Sequence, residues 1–190
     1  MALKLKIIVG STRPGRIGPQ VAAWVDKLAR EQNSFDVELV DLAEVGLPLL
    51  DEPNHPRAQD YQHEHTKKWA ATIDEGDAYI FVTPEYDGFP PAALVNAIQA
   101  LALEWNRKPA AVVSYGFATG GMRSMQELRG LLTNVNVMPL ATSVGLPFVY
   151  DMLGEDGVLR APEPVNEAAA AMFAEITAWG EALKPTRAAA

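Results

Sequence analysis

Ala78-Tyr79-Ile80-Phe81-Val82 is an unbroken apolar run closed by Thr83-Pro84. A strand with one wet face alternates apolar and polar residues. A run without alternation fits a strand buried on both faces, as in the centre of a parallel sheet. Such a sheet needs helices over both faces, and the rest of the chain supplies them. Leu3 to Val9 mixes β-formers with two lysines and ends at Gly10, which predicts a first strand entering a turn. Val21, Trp24, Val25 and Leu28 fall at helical spacing, predicting an amphipathic helix from Gly18 to about Gln32. Phe35 to Val40 alternates as a second strand. Leu42 to about His65, interrupted by Pro48, Pro53 and Pro56, reads as a long connection, and Trp69 and Ile73 mark a helix after it.

Beyond the central strand the pattern repeats. Pro91 suits a helix's first turn, and Leu94, Ile98, Leu101 and Leu103 carry that helix to about Asn106. Ala110 to Ser114 predicts a fourth strand, Met122 to Leu132 a helix, Val137 to Ser143 a fifth strand, and Glu163 to Leu183 an Ala-rich closing helix. The expected fold is therefore α/β: one domain over residues 1–185, with 186–190 a frayed tail. In such sheets ligands gather at the carboxyl ends of the strands near a topological switch point. The loops after strands one, three and four thus become the candidates.

Composition narrows the chemistry. At 190 residues and 48% hydrophobic, the chain can bury one sizeable core. It has no cysteine, which excludes disulfides, thiolate nucleophiles and Cys-based zinc or iron–sulfur sites, so redox chemistry would need a bound cofactor. The net charge of −8 argues against an extended polyanion such as DNA as partner. No apolar stretch approaches the ~20 residues that span a bilayer. Met1 leads directly into the first strand without the features of a signal peptide, so no membrane partner and a cytoplasmic location are expected.

Gly10-Ser11-Thr12-Arg13-Pro14-Gly15-Arg16-Ile17-Gly18 puts small residues, two hydroxyls, two guanidinium groups and a helix start into one turn. Unpaired N–H groups at a helix start favour an anion, and Arg13 and Arg16 add charge-assisted donors for phosphate oxygens. A Walker A loop fails here, because Arg16-Ile17 stand where Lys and the magnesium-binding hydroxyl belong. A dinucleotide fingerprint fails on glycine spacing, five and three instead of two and three; only Asp41, near the end of strand two, favours it. A terminal monophosphate, as on FMN, fits what remains. The competing reading is a surface turn with solvated arginines.

Thr83-Pro84-Glu85-Tyr86-Asp87-Gly88-Phe89-Pro90-Pro91, after the central strand, has the aromatics and rigidity of a ledge beside a flat ring. Tyr86 and Phe89 would equally serve as caps on the core. Glu85 and Asp87 read as positioning or solvated groups and not as an acid/base pair. Ser114-Tyr115-Gly116-Phe117-Ala118-Thr119-Gly120-Gly121 would supply a second wall.

Taken in order, these three loops, with Pro91-Ala92-Ala93-Leu94-Val95-Asn96-Ala97-Ile98 and Lys108-Pro109, resemble the NADPH-dependent FMN reductase family of quinone, azo-dye and chromate reductases. The resemblance implies a flavodoxin-like three-layer α/β/α sandwich with a five-stranded parallel sheet of order 2-1-3-4-5. It implies that Ser11, Thr12, Arg13, Arg16, Ile17 and Gly18 hold the FMN phosphate. Pro84, Glu85, Tyr86, Asp87 and Gly88 would line the isoalloxazine, and Ser114, Tyr115 and Gly116 would close it. It also implies a homodimer or homotetramer. The chain departs from the family pattern at Arg16 and Gly18, where Ser and Asn are usual, at Asp87, where Asn is usual, and at Val95 and Gln99, which remove a lysine and an aspartate.

The expected reaction is ping-pong: NAD(P)H gives hydride to flavin N5 and leaves before a small acceptor (quinone, azo compound, free flavin or metal oxyanion) takes the electrons. No catalytic side chain is needed for that chemistry. Two other classes stay open, a flavodoxin-type electron carrier for a protein partner and a flavin-free nucleotide-binding or phosphoryl-handling domain. His55, His63 and His65 are read as solvated and not as metal ligands, because i, i+2 spacing on a helix sends two imidazoles to different faces. Trp24, Trp69, Trp105 and Trp179 read as helix packing, with Trp105 alternatively edging a neighbouring subunit's site.

Overall fold

The computed structural model describes residues 2–187. Six strands and six helices alternate along them: β1 (Leu3–Val9), α1 (Gly18–Glu31), β2 (Phe35–Asp41), α2 (Leu42–Val45), α3 (Glu64–Asp74), β3 (Ala78–Pro84), α4 (Ala92–Gln99), β4 (Pro109–Tyr115), α5 (Met122–Asn134), β5 (Met138–Pro139), β6 (Val144–Leu146) and α6 (Glu163–Arg187). All the ladders of the sheet are parallel, in the order β2-β1-β3-β4-β5, and β6 also pairs with β4. Every residue of β3 is buried, as its unbroken apolar run requires.

Alternate residues of the central strands feed two cores. Leu5, Ile7, Val9, Ile80, Val82 and Val113 pack beneath α1 and α6. Ile8, Tyr79, Phe81, Ala110 and Val112 pack beneath α3, α4 and α5, together with Trp69 and Trp105. Each large side chain buried this way contributes roughly 1.5–3 kcal/mol.

Three elements differ from the sequence expectation. The fifth strand is broken in two: between Ala110↔Pro139 and Val113↔Val144, β4 advances three residues and the edge chain five. Pro139 has no N–H to donate, and the N–H of Thr142 turns away to Glu175 on α6 at 3.1 Å. Helix α4 stops at Gln99 and not near Asn106, followed by a 3-10 turn at Leu103–Trp105. The indoles of Trp69 and Trp105 donate to the carbonyls of Ala97 and Ile98 at 2.8 and 3.1 Å and so satisfy the helix end. Trp105 is fully buried against Tyr79 and Trp69, which removes it from any intersubunit site, while Trp179 is partly exposed. Finally, α6 continues through Arg187 because Lys184 and Arg187 both pair with Asp77, at 2.8 and 3.2 Å. The expected frayed tail is helical at Thr186 and Arg187, and residues 188–190 lie outside the described residues.

The long connection after β2 is pinned by polar groups. Buried Asn96 accepts from Leu50 N–H and donates to the Pro48 carbonyl, both at 2.8 Å. Buried Glu104 accepts from Gln59 and the Tyr61 hydroxyl, each at 2.9 Å. None of the described helices is long and apolar enough to cross a membrane.

Lys108 is buried at the end of α3, where its ammonium donates to the carbonyls of Ile73 and Asp74 at 3.0 and 2.8 Å. Burial pushes it down to about 8, with Arg187 acting in the same direction and Asp74, Asp77 and Glu104 opposing. Between about pH 8 and the ordinary lysine value the unfolded chain keeps a proton that the folded chain has shed. Stability therefore rises with pH across that window. Denaturant unfolding of the wild type, set against Lys108→Met, is expected to show a relative gain on the order of 2 kcal/mol between pH 7.5 and 10.

Candidate functional site

β1 and β3 run side by side, with Val9 opposite Val82, yet the chain leaves β1 toward α1 on one face and β3 toward α4 on the other. The crevice between these departures is the switch point. Gly10 sits at its floor, donating to the Val82 carbonyl at 2.9 Å; a Cβ there would lie 2.7 Å from Leu94 Cδ2, so only glycine fits without rearrangement.

The loop from Ser11 to Ile17 climbs from this floor into α1. Ser11 is fully buried, and its hydroxyl shares a 2.7 Å hydrogen bond with the Tyr86 hydroxyl from the loop after β3. Arg13 is exposed, and among the described residues its guanidinium has no hydrogen-bond or ion-pair partner. Arg16 is placed differently: both of its terminal nitrogens meet the Asp41 carboxylate, at 2.6 and 2.7 Å, and one also donates to the Ser11 carbonyl. Helix α1 begins with no side-chain cap and no acidic residue in its first turn; Pro19 has no N–H and that of Val21 bonds the Ile17 carbonyl, so the N–H groups of Gly18 and Gln20 and the positive end of the dipole are left at the loop.

Tyr115, at the end of β4, points into the same place. Its hydroxyl is buried and has no hydrogen-bond partner among the described residues. A Cβ on Gly18 would lie 3.0 Å from that hydroxyl and 3.0 Å from Val9 Cγ1, so a glycine lets the start of α1 approach Tyr115 this closely. Burial, and then the neighbouring Tyr86 phenol, push the ionisation of Tyr115 up, so it offers a proton at neutral pH. A buried hydroxyl without a partner is costly, and a phosphate oxygen would relieve that cost.

The loop after β3 folds into a tight hairpin in which Tyr86 and Phe89 exchange two 2.9 Å backbone bonds around Asp87 and Gly88. Both central residues have positive φ, 51° and 88°, as the mirror-image turn of an Asp-Gly pair requires. Glu85 lines the crevice, while its carboxylate reaches to α5 and accepts from Arg123 N–H at 3.1 Å and the Thr119 hydroxyl at 3.2 Å. It caps a helix whose own N-cap, Gly121, has no side chain to offer. Ser114 is buried and donates to the Gly120 carbonyl at 2.8 Å, holding the loop after β4 closed on itself.

These loops enclose a cleft of about 280 Å³. It brings together eight of the residues expected from sequence: Arg13, Arg16 and Ile17 from the first loop, Pro84, Glu85 and Tyr86 from the second, Tyr115 and Gly116 from the third. Ser11 and Ser114 lie behind this surface as supports. Thr12 faces a separate small cavity beside α2 and α4, and Gly88 faces an apolar groove along α5. Sequence reasoning missed Val149 and Tyr150. Backbone bonds from Phe148 and Val149 to the carbonyls of Phe117 and Gly116 zip their segment to the loop after β4. The rings of Phe117 and Tyr150 then meet 6.4 Å apart at the rim. No local signal marks residues 147–152, whose place depends on the broken edge strand.

His63 and His65 do not follow the helical i, i+2 spacing expected of them. His63 is the extended N-cap of α3 and not a helical residue, so its ring stacks on that of His65 at 5.2 Å, and His65 Nε2 lies 3.0 Å from Asp51 Oδ1. Among the described residues no group of three or more His, Cys, Asp or Glu side chains is arranged to hold a metal ion.

Against known proteins, the sequence profile of the NADPH-dependent FMN reductase family matches residues 3–151. An NAD(P)H-dependent FMN reductase of Schizosaccharomyces pombe is 39% identical over 148 residues, covering 76% of this chain and 74% of its own. A 2-hydroxy-1,4-benzoquinone reductase of Burkholderia sp. is 31% identical over 147 residues, 73% of this chain and 74% of its own. Among solved structures, the flavoenzyme NAD(P)H:(acceptor) oxidoreductase of Paracoccus denitrificans superposes with a TM-score of 0.74 at 21% identity, covering 96% of this chain and 99% of that one.

Because Glu85 caps α5 from another loop, Glu85→Ala is expected to cost about 1 kcal/mol, lowering the thermal midpoint by about 3 °C in a melting experiment.

Proposed function

The chain belongs to the NADPH-dependent FMN reductase family, and from that premise we propose that it is an FMN-dependent NAD(P)H oxidoreductase serving a small acceptor of the quinone, azo, free-flavin or metal-oxyanion class. The observation that carries this reading is the unpartnered Tyr115 hydroxyl, in the lining of the cleft and packed close to Gly18 at the uncapped start of α1. This donor set fits a terminal phosphate.

When bound, FMN supplies the hydride chemistry, taking hydride from NAD(P)H and passing electrons on. The protein's part is to bind and orient. The leading N–H groups of α1, Arg13 and Tyr115 hold the phosphate end, while the rigid Tyr86–Phe89 hairpin and the Gly116 loop flank the ring. Phe117 and Tyr150 offer apolar faces at the rim for a flat partner. NAD(P)H and acceptor would both have to reach the ring face bordered by Phe117 and Tyr150, which supports their occupying it in turn, by a ping-pong route. Assembly as a homodimer or homotetramer belongs to the same proposal, supported by the exposed Phe89 and Met122 of the apolar groove along α5 and by exposed Phe117 at the rim of the cleft.

Purified protein is expected to be yellow or to take up added FMN, and to oxidise NAD(P)H rapidly with a quinone, giving parallel double-reciprocal lines. A colourless protein that takes up no FMN overturns the cofactor; intersecting lines overturn the ping-pong route. FMN uptake without NAD(P)H oxidation favours an electron carrier. Arg13→Ala is expected to purify folded but flavin-poor, with the ratio of flavin to protein absorbance falling at unchanged circular dichroism.

A further inference from the structure

Arg16 and Asp41 each carry a familiar signature: a second phosphate-binding arginine, and the strand-two carboxylate that holds a ribose in dinucleotide-binding folds. In the structure each consumes the other. The guanidinium meets the carboxylate with both terminal nitrogens at 2.6 and 2.7 Å, and their side chains are only 17% and 10% exposed. Asp41 Oδ1 also accepts from Ala43 N–H at 3.0 Å, capping α2 and committing the carboxylate further. Three of the carboxylate's roughly four acceptor sites are taken, which leaves no pair for the two hydroxyls of a ribose diol, and the charge of Arg16 is closed within the protein.

The pair also reaches the ring side of the site. One nitrogen of Arg16 holds the Ser11 carbonyl, and the Ser11 hydroxyl meets Tyr86 at 2.7 Å. A continuous polar chain thus runs Asp41–Arg16–Ser11–Tyr86 from the end of β2, through the first loop, to the hairpin after β3. We propose that Asp41 is a positioning residue that holds Arg16 as an internal brace between these loops. The phosphate is then met by backbone N–H groups, Arg13 and Tyr115, and not by the Arg16 guanidinium. This rests on the reading of the cleft as an FMN site, and it leaves the first loop with a single unneutralised cation.

FMN and riboflavin, which differ by the phosphate alone, separate the two roles. Dissociation constants for both are measured by flavin fluorescence on wild type, Arg13→Gln, Arg16→Met, Asp41→Asn and the Arg16→Met/Asp41→Asn double variant. Arg13→Gln is expected to shrink the preference for FMN over riboflavin about tenfold, as loss of a charge-assisted contact does. Arg16→Met and Asp41→Asn are expected to weaken both ligands alike, several-fold, with the preference unchanged within about twofold and the double variant no worse than either. The visible bands of bound flavin should shift in the two brace variants through Tyr86, a signature that general destabilisation would not produce, and should stay put in Arg13→Gln.

A preference that collapses in Arg16→Met as it does in Arg13→Gln would make Arg16 a phosphate ligand and overturn the brace. A preference that rises in Asp41→Asn would make Asp41 a mere neutraliser, with the same consequence. Unshifted bands in both brace variants would also overturn it. Should Arg16→Met fail to fold, Asp41→Asn keeps both the preference and the spectrum as readouts. Wild type that binds neither flavin would sink the cofactor reading itself, an outcome distinct from all of these.

Discussion

β1 and β3 pair in parallel through Val9 and Val82, and the chain then departs to opposite faces of the sheet. Two backbones that part in this way cannot cover the gap between their ends, so a crevice opens at the carboxyl edge. Every group of the candidate site is placed by that divergence. Gly10 closes the floor against Val82 because no side chain fits above Leu94, and the first loop is thereby aimed across the ends of β3 and β4.

The crevice stays in shape because polar groups behind it have partners. Ser11 and Ser114 are fully buried and are spent on Tyr86 and on the Gly120 carbonyl. Glu85 is spent on the start of α5, and Asp41 on Arg16. An unsatisfied buried group costs about 1–3 kcal/mol, so each of these bonds also keeps its loop from drifting. Against that background the Tyr115 hydroxyl is the buried side-chain group of the cleft lining that has no partner among the described residues. Elsewhere the same rule works in the scaffold: Lys108 ends α3, Asn96 and Glu104 fasten the long connection, and two indoles finish α4.

Much of this was legible in the chain. The apolar run of β3, the helical spacing after Gly18 and the turn residues after β1, β3 and β4 are local patterns, and local patterns survive being read one window at a time. They suffice for the parallel sheet and for the three loops that carry the candidate site, whereas the order of the sheet followed from the resemblance to the reductase family. Reading failed where one element's fate depends on a distant one. The edge strand breaks because Thr142 is drawn to Glu175, α4 stops where Trp69 and Trp105 reach its carbonyls, and the histidines stack because His63 lies outside the helix.

The two arginines of the first loop mark the boundary most sharply. Sequence alone determined that a cationic, glycine-bearing turn leads from the first strand into a helix, since composition and spacing are contained in nine consecutive residues. Only tertiary structure decided that Arg13 stays free while Arg16 is taken by Asp41, 25 residues away. Charge belongs to a residue, but its availability depends on what the folded chain places within reach of it, and parallel pairing of β1 with β2 sets Asp41 directly beside the end of β1.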